Sequence, residues 1–386
     1  MTIKTDFKQE IKLTTTRKKL VFLIRSLDIG GAQRQLIALT KALNKKNFEI
    51  TVLTFYSGGE LGEELKDHEI NLISLEKGGR WDIWKFFWRM IHQLNEIKPD
   101  VLHGYLSTAN IFTVLLKPLF PRTKMVWGVR ASNIDLSRYD WLVRVSFKLE
   151  CWLSPLADLI IVNSKAGKIY HIDHGFPSKK MAIIPNGIDT EYFQPDNYSR
   201  IKLRQEWKIS DDIILIGLVG RLDPIKDHPT FLKAAALSLK ERQDIRWICV
   251  GSGSDKYTQE LYQLAEDLRI SEQVIWAGAK NNMPAVYNAL DIACCCSYGE
   301  GFPNVVGEAM ACGIPCVVTD VGDCAWIVGD TGIVVPPQNP QALVSGWKYC
   351  LERDRKEIAI KSRERIRKNF TTNSLAQNTE VLLGQL

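Results

Sequence analysis

The stretch ACCCSYGEGFPNVVGEAMACGIPCVV, Ala293 to Val318, decides how the chain is read. It begins inside an apolar run, Ile292 to Cys296, with the composition of a short buried strand. A glycine-rich loop follows, then a short helix expected from about Asn304 to Cys312 and stopped by Gly313 and Pro315. A second apolar run, Cys316 to Val318, comes next. Strand, glycine loop and helix together present free backbone N–H groups and a positive helix end to an anion. Two carboxylates bracket the loop: Glu300 before the helix and Glu308, eight positions on, inside it. A carboxylate does not bind phosphate, so this pair is suited to neutral hydroxyl groups. The loop therefore carries the inventory for a nucleotide sugar. Taken singly, Glu300 reads more readily as a solvated loop residue and Glu308 as an ordinary helix carboxylate.

The whole string EGFPNVVGEAMACGIP narrows the choice, because it resembles the E-x7-E segment of retaining glycosyltransferases of family 4. The resemblance implies an α/β chain of the GT-B type, with two Rossmann-like domains facing each other across a cleft. It implies a nucleotide sugar as substrate, with no cofactor and no required metal. Carried over by residue, Glu300 and the amides of Gly301 and Phe302 would meet the transferred sugar. Asn304 and Val305 of the same segment would join the donor site, and Glu308 would hold the ribose.

At 386 residues the chain has room for two domains of ordinary size. Its 45% hydrophobic and 24% charged residues are those of a soluble globular protein. No apolar run approaches the ~18 residues of a membrane-spanning helix. Residues 1–17 lack the apolar core of a signal peptide and read as a polar tail. Nine cysteines, three of them adjacent at Cys294 to Cys296, match no zinc spacing and read as reduced thiols of a cytoplasmic protein. Residues 1–200 carry 29 Lys+Arg against 21 Asp+Glu, or +8, whereas residues 201–386 carry 21 against 23, or −2. A basic first half suits an anionic membrane surface or an anionic acceptor. No recognition motif for nucleic acid accompanies it.

The first domain is expected over residues 18–192. It opens with a strand, Leu20 to Ile24, the turn Leu27 to Gly31, and a helix with Leu36, Leu39 and Leu43 on one face. Glu49 to Phe55 is the next strand, which completes a unit of a parallel sheet. Gly30-Gly31 alone reads as a tight turn; the resemblance makes it a loop facing the donor diphosphate. Further strands are expected at Leu72–Leu75, Val101–Gly104, Met125–Val129 and Leu159–Asn163, and the string PNGID, Pro185 to Asp189, resembles the segment that closes this domain. A linker with an exposed helix is expected from about Gln194 to Ser210.

The second domain, residues 193–365, has expected strands at Ile213–Val219, Arg246–Gly251 and Val274–Gly278. Arg221 and Lys226 follow the first of these, at the end of a parallel strand where such sheets bind ligands. Surface ion pairing is the plain alternative for them. The resemblance makes them the cations on the diphosphate leaving group, with Asp227 where family members often have glycine. Gly251 and Gly278 end the other two strands on the donor side. The resemblance returns the last helix, residues 366–386, to the first domain.

Two candidates lie on the acceptor side. His103 in DVLHGY is read as ending a strand and facing the cleft, although a lone histidine is more often structural. Arg130, in the segment Val126 to Asn133, stands near the place where many family members carry a histidine. It would stabilise charge on the phosphate or orient the acceptor. Trp81 to Lys98, WDIWKFFWRMIHQLNEIK, reads as a helix whose apolar arc is wider than one core contact requires. Either it is fully buried, or its tryptophan edge meets lipid. Tyr139 to Leu153 has a similar mixture.

The chain thus reads as a retaining, metal-independent hexosyl- or N-acetylhexosaminyltransferase. It would be cytoplasmic, peripheral on the inner face of the plasma membrane, and would use a UDP- or GDP-sugar with a glycan acceptor, lipid-linked by preference. An epimerase or hydrolase of nucleotide sugars, and a sensor without turnover, are the competing readings.

Overall fold

The computed structural model describes residues 17–66, 68–79, 81–130 and 141–386. Seven parallel strands form the first sheet: β1 (Lys18–Ile24), β2 (Phe48–Thr54), β3 (Ile70–Ser74), β4 (Val101–Tyr105), β5 (Lys124–Val129), β6 (Leu159–Val162) and β7 (Met181–Ile183), in the order β3-β2-β1-β4-β5-β6-β7. Helices cover both faces, so the inner strands are apolar almost without interruption. One face of the sheet packs on α1 (Gly31–Ala42) and the other on α2 (Trp84–Ile97), α3 (Ser107–Leu116) and α4 (Trp141–Leu153). The short α5 (Lys165–Asp173) joins β6 to β7.

The second sheet has six parallel strands: β8 (Ile214–Val219), β9 (Ile245–Val250), β10 (Val274–Gly278), β11 (Ile292–Cys295), β12 (Cys316–Thr319) and β13 (Ile333–Val335), in the order β10-β9-β8-β11-β12-β13. In both sheets the order reverses beside the first strand, at β1/β4 and at β8/β11. Such reversals leave a crevice at the carboxyl ends of the strands. The helices α7 (His228–Leu239), α8 (Asp255–Asp267), α9 (Met283–Ala289), α10 (Asn304–Ala311), α11 (Cys324–Val328) and α12 (Pro340–Glu352) surround the second sheet.

Three local expectations change. β7 is only three residues long, too short to stand out among the neighbouring apolar residues. The linker helix α6 (Asn197–Glu206) is not simply exposed. Its Arg204 is 1% exposed and donates to Asp291 at 3.1 Å, which ties the helix to β11 of the second domain. The C-terminal segment is two helices, α13 (Arg355–Asn369) and α14 (Thr372–Gly384), because Thr371 caps the second by accepting from the Ser374 amide. α13 packs with the second domain, and Ile366 belongs to its core. α14 buries Leu375, Ala376 and Leu383 in the first domain. The crossing is pinned where Ile188 bridges Thr371, with Ile188 N donating to Phe370 O at 2.8 Å. All nine cysteines are unpaired thiols.

Candidate functional site

Glu300 sits in the loop between β11 and α10, and its environment is built from both sides of that loop. Ser297 Oγ donates to Glu300 Oε1 at 2.7 Å, and Lys226 Nζ donates to the same oxygen at 2.5 Å. Burial works against the Lys226 ammonium, but the Glu300 carboxylate and the Cys295 thiol outweigh it and raise its pKa above that of an ordinary lysine. Lys226 is therefore a paired cation rather than the free one suggested by its position after β8. Arg221 is the open one, 78% exposed and 3.5 Å from Asp223. A close approach fixes the loop: Gly322 has φ 55°, and a side chain there would strike the Glu300 carbonyl.

α10 starts directly after this loop. Its N-cap is Pro303, and no side chain caps the first turn. The N–H groups at Asn304 and Val305 are thus presented without a capping acceptor. Phe302 is a core residue, with its ring 5.5 Å from Phe370 and next to Trp326, so only its backbone and that of Gly301 can meet a ligand. Glu308 lies one turn into α10 and accepts 2.6 Å from Tyr287 OH. Burial pushes its carboxyl pKa up, opposed by that bond and by Arg34 of α1. On the far side of β8, Gly251 has φ 150°, and a side chain there would strike the Gly220 carbonyl. Its N–H donates to the carbonyl of exposed Gly278 at 2.9 Å.

The first domain meets this site at one seam. Gly30 is the N-cap of α1, and a Cβ on Gly31 would lie 3.7 Å from Asn304 Nδ2. The N-termini of α1 and α10 thus converge, and both dipoles point their positive ends at the seam. Asn186 Nδ2 donates to Asn304 Oδ1 at 2.8 Å, and Asn186 Oδ1 accepts from Arg130 Nη1 at 3.1 Å. Nearby, Asp323 of the second domain accepts from the amides of Lys165 and Ala166 at 2.7 and 3.0 Å, anchoring the start of α5.

His103 is placed differently from the expectation. β4 runs on to Tyr105, which leaves His103 two residues short of the strand end. Its ring is 0% exposed, 5.1 Å from that of Phe22. Burial, then the Arg130 charge, lowers its pKa to about 3, which keeps it neutral, and its full burial closes it off from solvent. Ala131, Ser132 and Asn133 lie outside the described residues. Sequence reasoning missed Ser297, Tyr287 and Asp323, whose roles come from partners distant in the chain. Asn186 lies within PNGID, and that string is the signal the sequence holds for it.

Residues 29–192 match the family described as Glycosyltransferase Family 4, and residues 199–372 match Glycosyl transferases group 1. A Campylobacter jejuni N-acetylgalactosamine-N,N'-diacetylbacillosaminyl-diphospho-undecaprenol 4-alpha-N-acetylgalactosaminyltransferase is 27% identical over 95% of this chain and 100% of its own. The putative glycosyltransferase EpsF of Bacillus subtilis is 23% identical over 80% of both chains. Among solved structures, Anabaena Alr3699/HepE in complex with UDP superposes with a TM-score of 0.84 at 22% identity, covering 95% of this chain and 100% of that one. With both halves matched and two Rossmann-like sheets meeting at the Asn186–Asn304 seam, the chain is a GT-B glycosyltransferase and belongs to family 4, group 1.

Proposed function

We propose that this glycosyltransferase moves a hexose or N-acetylhexosamine from a UDP- or GDP-sugar to a lipid-linked glycan precursor, with retention of anomeric configuration. The products would serve cell-surface polysaccharide or glycolipid synthesis. The observation that carries the reading is Glu300, held on one oxygen by Ser297 and Lys226 beside the uncapped N-terminus of α10. A sugar hydroxyl has a fixed carboxylate to donate to, while the diphosphate has two helix ends and Arg221.

Retention has two routes. A covalent glycosyl-enzyme needs a carboxylate nucleophile under the sugar. Glu300 is engaged as described, and the buried Glu150 of the first domain accepts from Ser107 Oγ and from Asn110 Nδ2. Same-face attack suits these residues better. The acceptor hydroxyl oxygen bonds to C1 as the bond from C1 to the phosphate oxygen breaks. The departing β-phosphate takes the hydroxyl proton and leaves as the nucleoside diphosphate. No metal enters this scheme; Arg221 and the helix N-termini would supply the positive charge for the leaving group.

The acceptor class draws support from the Campylobacter relative, whose name specifies a diphospho-undecaprenol substrate. A peripheral place on the inner membrane face draws support from the outer helices of the first domain, where Trp81, Trp84 and Trp88 are 86%, 77% and 65% exposed. Among the described residues no helix is long and apolar enough to cross a membrane. The test is a panel of UDP- and GDP-sugars in thermal shift, since a binder of the folded state raises the melting temperature. The binder is then incubated with an isoprenyl-diphosphate-linked sugar, and the anomeric coupling of the product is read by NMR. Absence of any binder and any transfer sinks the donor reading, and an inverted product sinks retention.

A further inference from the structure

β4 and β5 end side by side below the seam, and the polar groups there are unusually bare. Tyr105 is fully buried, and neither its OH nor either ring nitrogen of His103 has a hydrogen-bond partner among the described residues. The Arg130 guanidinium lies 4.4 Å over the Tyr105 ring. Its Nε is buried and unpartnered, its Nη1 donates to Asn186, and no carboxylate stands within ion-pair range among the described residues. Arg130 is half-buried, and the comparable cations are better satisfied. Arg204 sits on Asp291 and Lys226 on Glu300, while Arg363 and Arg365, which also lack a carboxylate among the described residues, donate to three and two backbone carbonyls. Removing a cation from water without a counter-charge is costly. A structure that keeps such a group has it ready for an anion that arrives from outside.

We infer that Arg130 is a phosphoryl-binding residue, clamping a diphosphate oxygen from the first-domain side of the seam. A guanidinium presents a planar fork that fits phosphate, and the Tyr105 face beneath it holds the fork flat. Asn186 carries the connection on to Asn304, at the start of α10, so an anion on Arg130 adjoins the helix ends that face the donor. The inference rests on the proposed function, since a nucleotide sugar and a lipid-linked acceptor each bring a diphosphate. It adds a cation on the first domain to Arg221 on the second.

The test uses the full chain in phosphate-free buffer. Titration calorimetry with inorganic pyrophosphate, UDP and geranyl diphosphate compares wild type with Arg130→Gln, Arg130→Lys and Arg221→Gln. Arg130→Gln is expected to weaken pyrophosphate binding roughly tenfold or more, and Arg130→Lys, which keeps the charge and loses the fork, by less. If UDP shares the loss, the phosphate is the donor's. If only geranyl diphosphate does, it is the acceptor's. Affinities within about twofold of wild type for all three ligands overturn the inference, as does a wild type that binds none of them. A wild type that binds pyrophosphate but no nucleotide sugar breaks the transferase reading and still decides Arg130. Because Arg130→Gln also gives up the bond to Asn186 and the stack on Tyr105, melting temperature serves to show that each variant is folded before its affinities are compared.

Discussion

The two domains share one architecture and differ in what they leave uncovered. In the second, Trp247 and Trp347 are 0% and 1% exposed, and Lys226 is closed onto Glu300. In the first, Trp81, Trp84, Trp88, Trp141 and Trp152 stand out on α2 and α4 and the turn before α2, while Arg130 donates to Asn186 and has no carboxylate in ion-pair range among the described residues. α2 and α4 cover the same side of the first sheet, with Phe86, Met90 and Leu94 of one and Phe147 and Leu153 of the other turned inward. The tryptophans are therefore not needed by that core. The second domain turns Trp247 and Trp347 into its own core, whereas the first leaves these five exposed, which on the proposed reading is a surface for docking.

The largest effect should come from breaking the completed side. Glu300→Gln or Lys226→Ala is expected to lower turnover by ~10²-fold or more, by analogy with loss of one preorganised transition-state partner. Circular dichroism should show the fold retained. Wild-type turnover in both variants would remove the pair from the mechanism and make the second domain no more finished than the first.

Tryptophan substitutions test the comparison directly. Trp347→Ala, in contact with Phe231 and Trp247, should cost ~3–5 kcal/mol of stability. Trp84→Ala and Trp88→Ala should cost within about 0.5 kcal/mol, as exposed positions do. The same two variants should lose roughly tenfold each in sedimentation with anionic liposomes, because a buried ring contributes ~1.5–3 kcal/mol. Lys85 and Lys148 would add ~1 kcal/mol apiece near an anionic surface, so the binding should weaken with salt. A wild type that never sediments would break the membrane reading and leave the tryptophans to a protein partner.

A smaller effect should be common to both domains. Burial, followed by the Arg130 charge, lowers the His103 pKa to about 3; burial, followed by Lys226, lowers that of His228 to about 4, against the raising influence of Asp223. An unfolded histidine titrates near ~6.5. Between that value and the folded one, the unfolded chain binds protons that the folded chain does not, so stability falls as pH falls. Each histidine should contribute a slope of roughly 1.4 kcal/mol per pH unit between about pH 6 and 4.5. Chemical denaturation across that range, with His103→Gln and His228→Gln, checks it; an unchanged slope in either variant excludes that histidine as a source.

Why the second domain was legible and the first less so follows from where the partners sit. Glu300, the loop and the α10 start occupy one string, so local chemistry and resemblance reached them together. Lys226 is 74 positions from Glu300, and Asn186 is 118 from Asn304. No local pattern encodes such pairs. The strands were readable as apolar runs, yet the apolar run does not say which face His103 takes, and in the fold its ring lies against Phe22 and Tyr105. On α2 the apolar arc left burial and exposure equally open. Only the packing of Phe86, Met90 and Leu94 against the sheet turns the tryptophans outward.

The smallest expected effect is none at all: activity should stay within about twofold in excess EDTA. A diphosphate leaving group needs positive charge, which a divalent ion supplies in many transferases. Here the N-termini of α1 and α10 converge at the seam, Arg221 is exposed after β8 within reach of the Lys226 charge, and Arg130 offers a second guanidinium. Lys226 contributes less than its position suggests, because Glu300 already neutralises it. The prediction thus depends on the first domain supplying charge that the second has spent internally. Complete loss in EDTA, restored by Mg²⁺ or Mn²⁺, would mean that the two arginines and the helix ends do not suffice. In that event Arg130→Gln should cost little more once the metal is present. Retained activity in EDTA, together with a loss in Arg130→Gln, would tie the missing charge to the first domain.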